Sequence, residues 1–229
     1  MTTLPEDLLL LALDDQSGTV PLEQSMSLDY GLAGAVLLEL LLAGKVSQQG
    51  GKLISAGAEP TGDEVLDTAM QKIGAAKRPR DLKHWVSTLS GNHLRDHIVA
   101  RLVAQGIVRR EEHKILWVFP SQRYPTADPL PERALRDQLR AAVLDDEAPT
   151  SRLAALIALA DACKLTDTLF SKAERKTAAP RLKAIAQGQD MGKAVRGATE
   201  EMQAAVIAAT MAAIAGSVAA STASSSAGH

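Results

Sequence analysis

The sequence predicts a mainly α fold: a single helical domain with a central helix bundle, surrounding amphipathic helices and one or two β-hairpins. Aromatic residues make up only 3% of the chain, whereas leucine and alanine are abundant, which favours packed helices over a sandwich or barrel. A helix followed by a glycine and a hairpin occurs twice. Because no interior composition break marks a linker, we expect one domain over residues 1–220 and a low-complexity, disordered tail over residues 221–229.

The N-terminal part begins with two predicted helices. The first covers about residues 4–13, since Pro5 suits a first turn and the acidic Glu6 and Asp7 complement the positive end of a helix. The second covers about residues 28–43 and carries several small residues, which would let another backbone approach closely.

The first hairpin is predicted directly after the second helix. Its strands cover residues 45–47 and 52–55, joined by a Gln-Gln-Gly-Gly turn. Further helices are predicted near residues 64–74 and 81–89.

The second hairpin is predicted after a helix over residues 94–105. Its strands are Ile107–Arg109 and Lys114–Phe119, joined by a Glu-Glu-His turn. Strand alternation would make both faces of the second strand apolar. Either the hairpin is buried against the helices, or part of it enters a bilayer or meets a partner chain.

The C-terminal part is predicted to be helical after a proline-rich loop. The predicted helices are residues 132–143, 151–163, an interrupted 164–173, and 181–186. The Ala-rich stretch 203–220 is long enough to span a membrane, but alanine only weakly favours hydrocarbon. We therefore predict that this stretch is a central buried helix.

Patterns for catalysis and metal binding are scarce. The chain lacks a Gly-x-Ser-x-Gly motif, a Walker loop, a His-Glu-x-x-His motif and a dinucleotide fingerprint. The single Cys163 excludes an internal disulfide, and His93 with His97 has a metal-type spacing without a third ligand. We predict a protein that is not an enzyme and has no metal site and no cofactor. The acidic N-terminus is unlike a signal peptide, which predicts a cytoplasmic location.

Charge is unevenly distributed along the chain. Residues 1–76 carry 3 bases and 11 acids, residues 77–123 carry 10 bases and 4 acids, and residues 124–229 carry 12 of each, which gives the net charge of −2. A basic middle segment in an acidic protein indicates contact with an anionic partner, although ion pairing with the acidic N-terminal third would explain it equally well.

The candidate contact residues lie in and beside the second hairpin. Arg109 and Arg110 could each contribute about 1 kcal/mol at an anionic surface. We predict that the apolar Leu116, Trp117 and Phe119 make membrane or partner contact.

Arg95 on the preceding helix is a candidate phosphate ligand, because a planar guanidinium can donate two hydrogen bonds at once. With His93 and His97 nearby, it would form one wall of an anion pocket.

Four stretches of the chain carry a family resemblance: Leu8–Asp15 with Gly18, Gly31–Val46, Pro60–Asp67, and Leu102–Ile107 with the second hairpin. In order and spacing they resemble the Golgi phosphoprotein 3 family, whose members are peripheral membrane proteins that bind phosphatidylinositol 4-phosphate. The resemblance runs from residue 4 to about residue 215. It implies an all-helical core and a hydrophobic hairpin used for membrane contact or self-association.

The resemblance also implies a headgroup pocket, which the eukaryotic relatives build from one tryptophan and three arginines. The first arginine falls on Ala33, the tryptophan on Leu22 or Glu23, and the other two arginines on Asn92 and Arg95. Only Arg95 matches. Losing charged hydrogen bonds of about 1.5–3 kcal/mol each could abolish selective recognition of the 4-phosphate. These departures suggest a distant, bacterial relative.

The leading interpretation is a non-enzymatic protein, peripherally associated with a membrane, that binds phosphoinositide or other acidic phospholipid headgroups. The predicted headgroup residues are Asn92, Arg95, His97, Arg109 and Arg110. This interpretation allows client proteins and a homo-oligomer formed through the hairpin. The alternatives are a winged-helix-like nucleic-acid-binding module, which the shortage of base-reading side chains disfavours, and a protein-interaction scaffold. We expect no nucleic acid partner.

Overall fold

The computed structural model describes residues 2–57, 59–91, 93–115, 119–188 and 193–226, with the backbone alone for 113–115, 119–121, 193–195 and 216–226. The predicted fold class is confirmed, because the described residues form ten helices and only two small antiparallel sheets, joined by loops.

The elements follow one another in a simple order. The helices are α1 (Leu4–Ala12), α2 (Leu22–Leu42), α3 (Glu64–Gly74), α4 (Leu82–Leu89), α5 (Leu94–Ala104), α6 (Leu130–Leu144), α7 (Ser151–Ala162), α8 (Thr166–Leu169), α9 (Lys172–Ala186) and α10 (Lys193–Ser226). The strands are β1 (Val46–Gln49), β2 (Lys52–Ser55), β3 (Arg80–Asp81), β4 (Glu111–Ile115) and β5 (Phe119–Arg123).

Helix α2 is the centre of the bundle. It contacts α1, α3, α4, α5, α7 and α10, and most of its side chains between Leu28 and Leu40 are buried. Among the described helices it is also the one that is long and apolar enough to cross a membrane, with a mean hydropathy of 1.4. Its apolar side chains form the protein core, which explains that composition.

Helix α1 buries charged groups as well as leucines. Glu6 and Asp7 are 0% and 4% exposed. Arg101 on α5 lies 3.0 Å from Glu6, and Arg152 on α7 lies 2.6 Å from Asp7. The first helical residue donates its backbone N–H to Glu39 on α2 at 2.6 Å. Ion pairs and hydrogen bonds thus connect α1 to three other helices.

Helix α10 corrects the prediction of a central buried helix over residues 203–220. It packs against α2, α4 and α7 and buries Met202 and Val206. Its other face is exposed at Ile207, Met211 and Ile214. Its small alanine side chains allow close packing on one face. The helices α2, α4 and α7 all contact that face, which leaves the opposite face uncovered.

Two C-terminal boundaries also differ from prediction. Helix α9 runs through Pro180, whereas the sequence predicts a helix only from Arg181. A capping box of Ser171 and Glu174 starts α9, and packing against α6 and α7 compensates for the hydrogen bond that Pro180 cannot donate. Helix α10 is helical through Ser226, beyond the predicted start of the tail.

The first hairpin lies at the predicted place, but β1 also includes Gln48 and Gln49, which the sequence predicts as part of the turn. Strands β1 and β2 pair from Val46 with Ser55 to Gln49 with Lys52. The turn between them is made by two glycines with φ of 56° and 73°. Strand β3 then pairs with the outer side of β2.

The second hairpin has a different turn from the predicted one. Strand β4 contains residues 111–113, which the sequence predicts as the turn, and the connection over 116–118 lies outside the described residues. A bridge between Val108 and Thr126 continues the ladder toward its base. The prediction is wrong because it takes the apolar run 114–119 as one strand, whereas pairing at the base sets the register.

The base of this hairpin is fixed to the loop between α1 and α2. The backbone N–H of Tyr124 donates to the carbonyl of Gly18 at 2.9 Å. Gly18 has φ of +60°, and a Cβ there would lie 2.2 Å from the nitrogen of Pro125. Any side chain at Gly18 would therefore collide with the hairpin backbone.

Two glycines of α2 set how closely its neighbours approach. A Cβ on Gly31 would lie 2.2 Å from Cys163 Sγ, and one on Gly34 would lie 3.1 Å and 3.2 Å from Val206 and Met202. The prediction that small residues here permit close packing is confirmed. Cys163 is buried, and burial raises the pKa of its thiol to about 12, so this thiol is a packing group.

We expect Gly31→Ala to destabilise the fold, because the added methyl group would overlap Cys163 Sγ. Overpacking costs about 1–3 kcal/mol, against a gain of up to about 1 kcal/mol in helix propensity. Cys163→Ala removes the Sγ, and the Cβ that remains at residue 163 would lie 3.9 Å from the added Cβ at residue 31. The double variant should therefore recover most of the lost stability. Urea unfolding of both single variants and the double variant tests this, and additive effects would contradict it.

Glu132 on α6 is a buried carboxyl group beside a second acid. Burial and a hydrogen bond with Asp15 raise the pKa of Glu132 to about 7, although the Arg136 guanidinium opposes the shift. Arg136 Nη2 lies 2.6 Å from Glu132 Oε1.

The free energy of unfolding should fall as the pH rises through this range. Between the ordinary pKa of 4.5 and the folded pKa of about 7, folded Glu132 keeps a proton that the unfolded chain releases. Its contribution to stability is therefore full below 4.5 and lost above about 7. Glu132→Gln should show a flatter pH dependence and higher stability at about pH 8. Denaturant unfolding across this range is the measurement, and identical profiles would rule the effect out.

Candidate anion-binding site

Arg95 lies in the first turn of α5 and faces the N-terminal part of α2. Its Nη2 lies 2.8 Å from Asp29 Oδ1 and donates to the Ser25 carbonyl at 2.6 Å, while Nη1 donates to Ser25 Oγ at 3.1 Å. The Arg95 side chain is 27% exposed. Both terminal nitrogens of the guanidinium therefore already have acceptors within the chain.

Asp29 occupies the position from which an anion would bind Arg95. Burial raises the pKa of Asp29 more than the Arg95 guanidinium lowers it, so the carboxylate is held there against a desolvation cost. Arg95 Nε is buried and has no acceptor. The pairing is thus incomplete, and a phosphate group would have to displace the carboxylate to bind.

The described structure does not bring His97 to Arg95. His97 borders a cavity of about 250 Å³ that residues of α3, α4 and α5 line and that Arg95 does not line. Two residues apart on a helix, these side chains point in different directions. His93 instead lies 3.0 Å from Asp96. Asn92 lies outside the described residues.

The arginines beside the hairpin differ from each other. Arg109 Nε lies 2.7 Å from Glu111 Oε1, and both side chains are exposed. Arg110 is exposed and forms no ion pair with the described residues. Of the predicted membrane-contact residues, Leu116 and Trp117 lie outside the described residues, and Phe119 is described by its backbone alone, paired with Ile115.

Unpaired cations collect instead in the connection between α3 and α4 and in the first turn of α4. Residues 77–84, which we call the basic loop, contain the exposed cations Lys77, Arg78, Arg80 and Lys83. None of the four forms an ion pair with a described residue. Three of them, together with His84, border a depression of about 380 Å³.

The local structure of the basic loop keeps its charge exposed. Its single acid, Asp81, accepts the backbone N–H of His84 at 2.8 Å and so caps α4. Trp85, directly after the loop, is 4% exposed and anchors it in the core. The signal was present in the sequence as four cations within residues 77–83, but these lack the aromatic residues that mark the hairpin.

The described residues offer no cluster for a metal ion, since no three of their histidine, cysteine, aspartate or glutamate side chains are suitably grouped. The exposed cations described above are groups that suit phosphate or carboxylate partners.

Comparison with known proteins gives two findings. The sequence model of the family described as Golgi phosphoprotein 3 (GPP34) matches residues 4–202. Vacuolar protein sorting-associated protein 74 of Schizosaccharomyces pombe is 28% identical to this chain over 149 residues, which are 55% of this chain and 43% of that protein. The match thus spans less than half of the relative's length.

We expect Asp29→Asn to make Arg95 available to a phosphate group. The asparagine removes the competing negative charge and keeps nearly the same shape. Binding to vesicles containing phosphatidylinositol 4-phosphate should rise by about threefold to tenfold, since a charged hydrogen bond is worth about 1.5–3 kcal/mol before its desolvation cost. Asp29→Asn combined with Arg95→Gln is the control and should remove the gain. Unchanged binding in Asp29→Asn would exclude Arg95 as a headgroup ligand.

Proposed function

The chain belongs to the Golgi phosphoprotein 3 (GPP34) family, and from that premise we propose that it is a non-enzymatic, peripheral membrane protein that binds acidic phospholipid surfaces. The observation that carries this proposal is the basic loop, whose four cations are exposed and unpaired among the described residues. The name of the fission-yeast relative refers to vacuolar protein sorting, which is consistent with an adaptor that holds client proteins at a cytoplasmic membrane face.

The charge of the basic loop is sufficient for reversible membrane association. Each lysine or arginine near an acidic bilayer contributes about 1 kcal/mol, so four contribute about 4 kcal/mol, or nearly a thousandfold in affinity. Because the Debye length is about 8 Å at physiological ionic strength, this attraction should weaken as salt is added. Because the net charge of the whole chain is −2, the attraction to acidic lipids would come from the basic loop and not from the overall charge of the protein.

The proposed contact is driven by charge and not by a selective headgroup pocket. Arg95 already donates to Asp29 and Ser25, so binding a phosphate there requires the loss of existing contacts. The cations of the basic loop have no such competitor. We therefore expect the protein to discriminate only weakly between phosphatidylinositol 4-phosphate and other acidic lipids.

The second hairpin is proposed as an additional membrane contact. Insertion of Leu116, Trp117 or Phe119 would contribute about 2 kcal/mol for each buried side chain. Arg110 would add to this attraction, whereas Arg109 would contribute less because Glu111 already neutralises it. The base of the hairpin is held at Gly18 by the backbone N–H of Tyr124.

Replacing two cations of the basic loop should weaken vesicle binding. In Lys77→Ala with Arg80→Ala, about 2 kcal/mol of attraction is lost, so the affinity for acidic vesicles should fall about thirtyfold. Co-sedimentation with neutral vesicles, generic acidic vesicles and vesicles containing phosphatidylinositol 4-phosphate across a salt series is the measurement.

The matched control is Arg133→Ala with Lys164→Ala, which removes the same charge from two exposed positions elsewhere. It should bind like the parent. Equal losses in both variants would mean that only net charge matters, and no loss in either would overturn the role of the basic loop. Preference for duplex DNA over acidic vesicles in a competition assay would favour a nucleic-acid-binding function instead.

A further inference from the structure

A groove between α9 and α10 lies apart from the residues assigned above. It has a volume of about 560 Å³, and residues of α7, α8, α9 and α10 line it. Leu182 and Ile207 give it an apolar surface. We call it the α9–α10 groove.

The rim of the α9–α10 groove is basic. Its cations are Lys172, Arg175, Lys176 and Lys183. The three lysines form no ion pair within the described part of the chain. Among the residues that the structure describes, only two acids, Asp161 and Asp167, line the groove beside these four cations, and Asp167 pairs with Arg175. Positive charge therefore prevails around the groove.

An apolar stripe continues from the groove along α10. Ile207, Met211 and Ile214 are 49%, 62% and 46% exposed. Spacings of four and three residues place them on one side of the helix. These are three of the six large hydrophobic side chains that are exposed in the described residues. Exposed apolar side chains that lie side by side are typical of an interaction surface, whereas single scattered ones are not.

Shape and charge together identify the occupant. An amphipathic helix can bind in a groove of this kind. Its apolar side chains, spaced three and four residues apart, would pack along the apolar surface of the groove. A planar bilayer would reach the exposed stripe but not Leu182, which is 8% exposed. A second copy of this chain packed through the same surface would bring two basic rims together, which electrostatic repulsion disfavours.

We propose that the α9–α10 groove docks an acidic amphipathic α-helix of a partner protein. Its apolar face packs on Leu182, Ile207 and Met211, and its flanking carboxylates pair with the lysines of the rim. The groove thus gives the protein a site for a protein partner that is separate from its proposed membrane contact.

Selection from a displayed library of helix-forming peptides, each about 16 residues long, tests this proposal on the full chain. A variant with Ile207→Gln and Met211→Gln serves for counter-selection. Enriched peptides should be acidic, with apolar residues three and four apart. Lys172→Glu with Lys176→Glu should weaken their binding, measured by fluorescence anisotropy, by at least about tenfold.

Controls separate the groove from general effects. Leu130 is 69% exposed on α6, so Leu130→Gln changes surface hydrophobicity elsewhere and should leave peptide binding unchanged. All variants alter exposed side chains and should unfold in urea like the parent. The vesicle binding of the groove variants should also equal that of the parent, which keeps this proposal independent of membrane association.

Three results would overturn the proposal. The first is the absence of any enriched peptide that depends on the groove, or enrichment of basic or non-helical peptides. The second is loss of vesicle binding in the groove variants, which would assign the surface to the membrane. The third is a dimer of the parent chain that Ile207→Gln with Met211→Gln dissociates, which would assign it to a second copy.

Discussion

The structure depends on how it pairs the two buried carboxylates of α1. A charge with almost no exposure must be neutralised by a partner, and Glu6 and Asp7 obtain theirs from Arg101 and Arg152. Arg101 also lies 2.9 Å from Asp63, the residue that caps α3. Helices α1, α3, α5 and α7 are therefore held in one arrangement by ionic contacts, and α2 supplies the apolar surface between them.

The need to neutralise acids inside the fold also separates the cations of residues 77–123 into two groups. Arg95 and Arg101 are used inside the molecule, to hold α5 against α2 and α1. The cations of the basic loop form no ion pair with a described residue, and Asp81, the acid within the loop, caps α4 instead. Internal pairing therefore accounts for Arg95 and Arg101, whereas contact with an anion stays a proposal for the basic loop.

The sequence could predict features that arise from neighbouring residues. Composition indicates the fold class, and the small residues of α2 indicate close packing, which Gly31 realises against Cys163. Contacts between residues that are distant in the sequence cannot be predicted from such local patterns. The pairing of Arg95 with Asp29 and the exposure of α10 at Ile207 depend on how helices assemble. The hairpin register depends on its anchored base, which a reading of strand propensity cannot include.

The separation of the α1 partners along the chain has a consequence for biosynthesis. Arg101 follows Glu6 by 95 residues, and Arg152 follows Asp7 by 145. During synthesis, the leucine-rich α1 thus emerges long before either arginine exists to neutralise its acids. The native burial of α1 can therefore be completed only after α7 has left the ribosome, and until then its leucines lack part of their final packing.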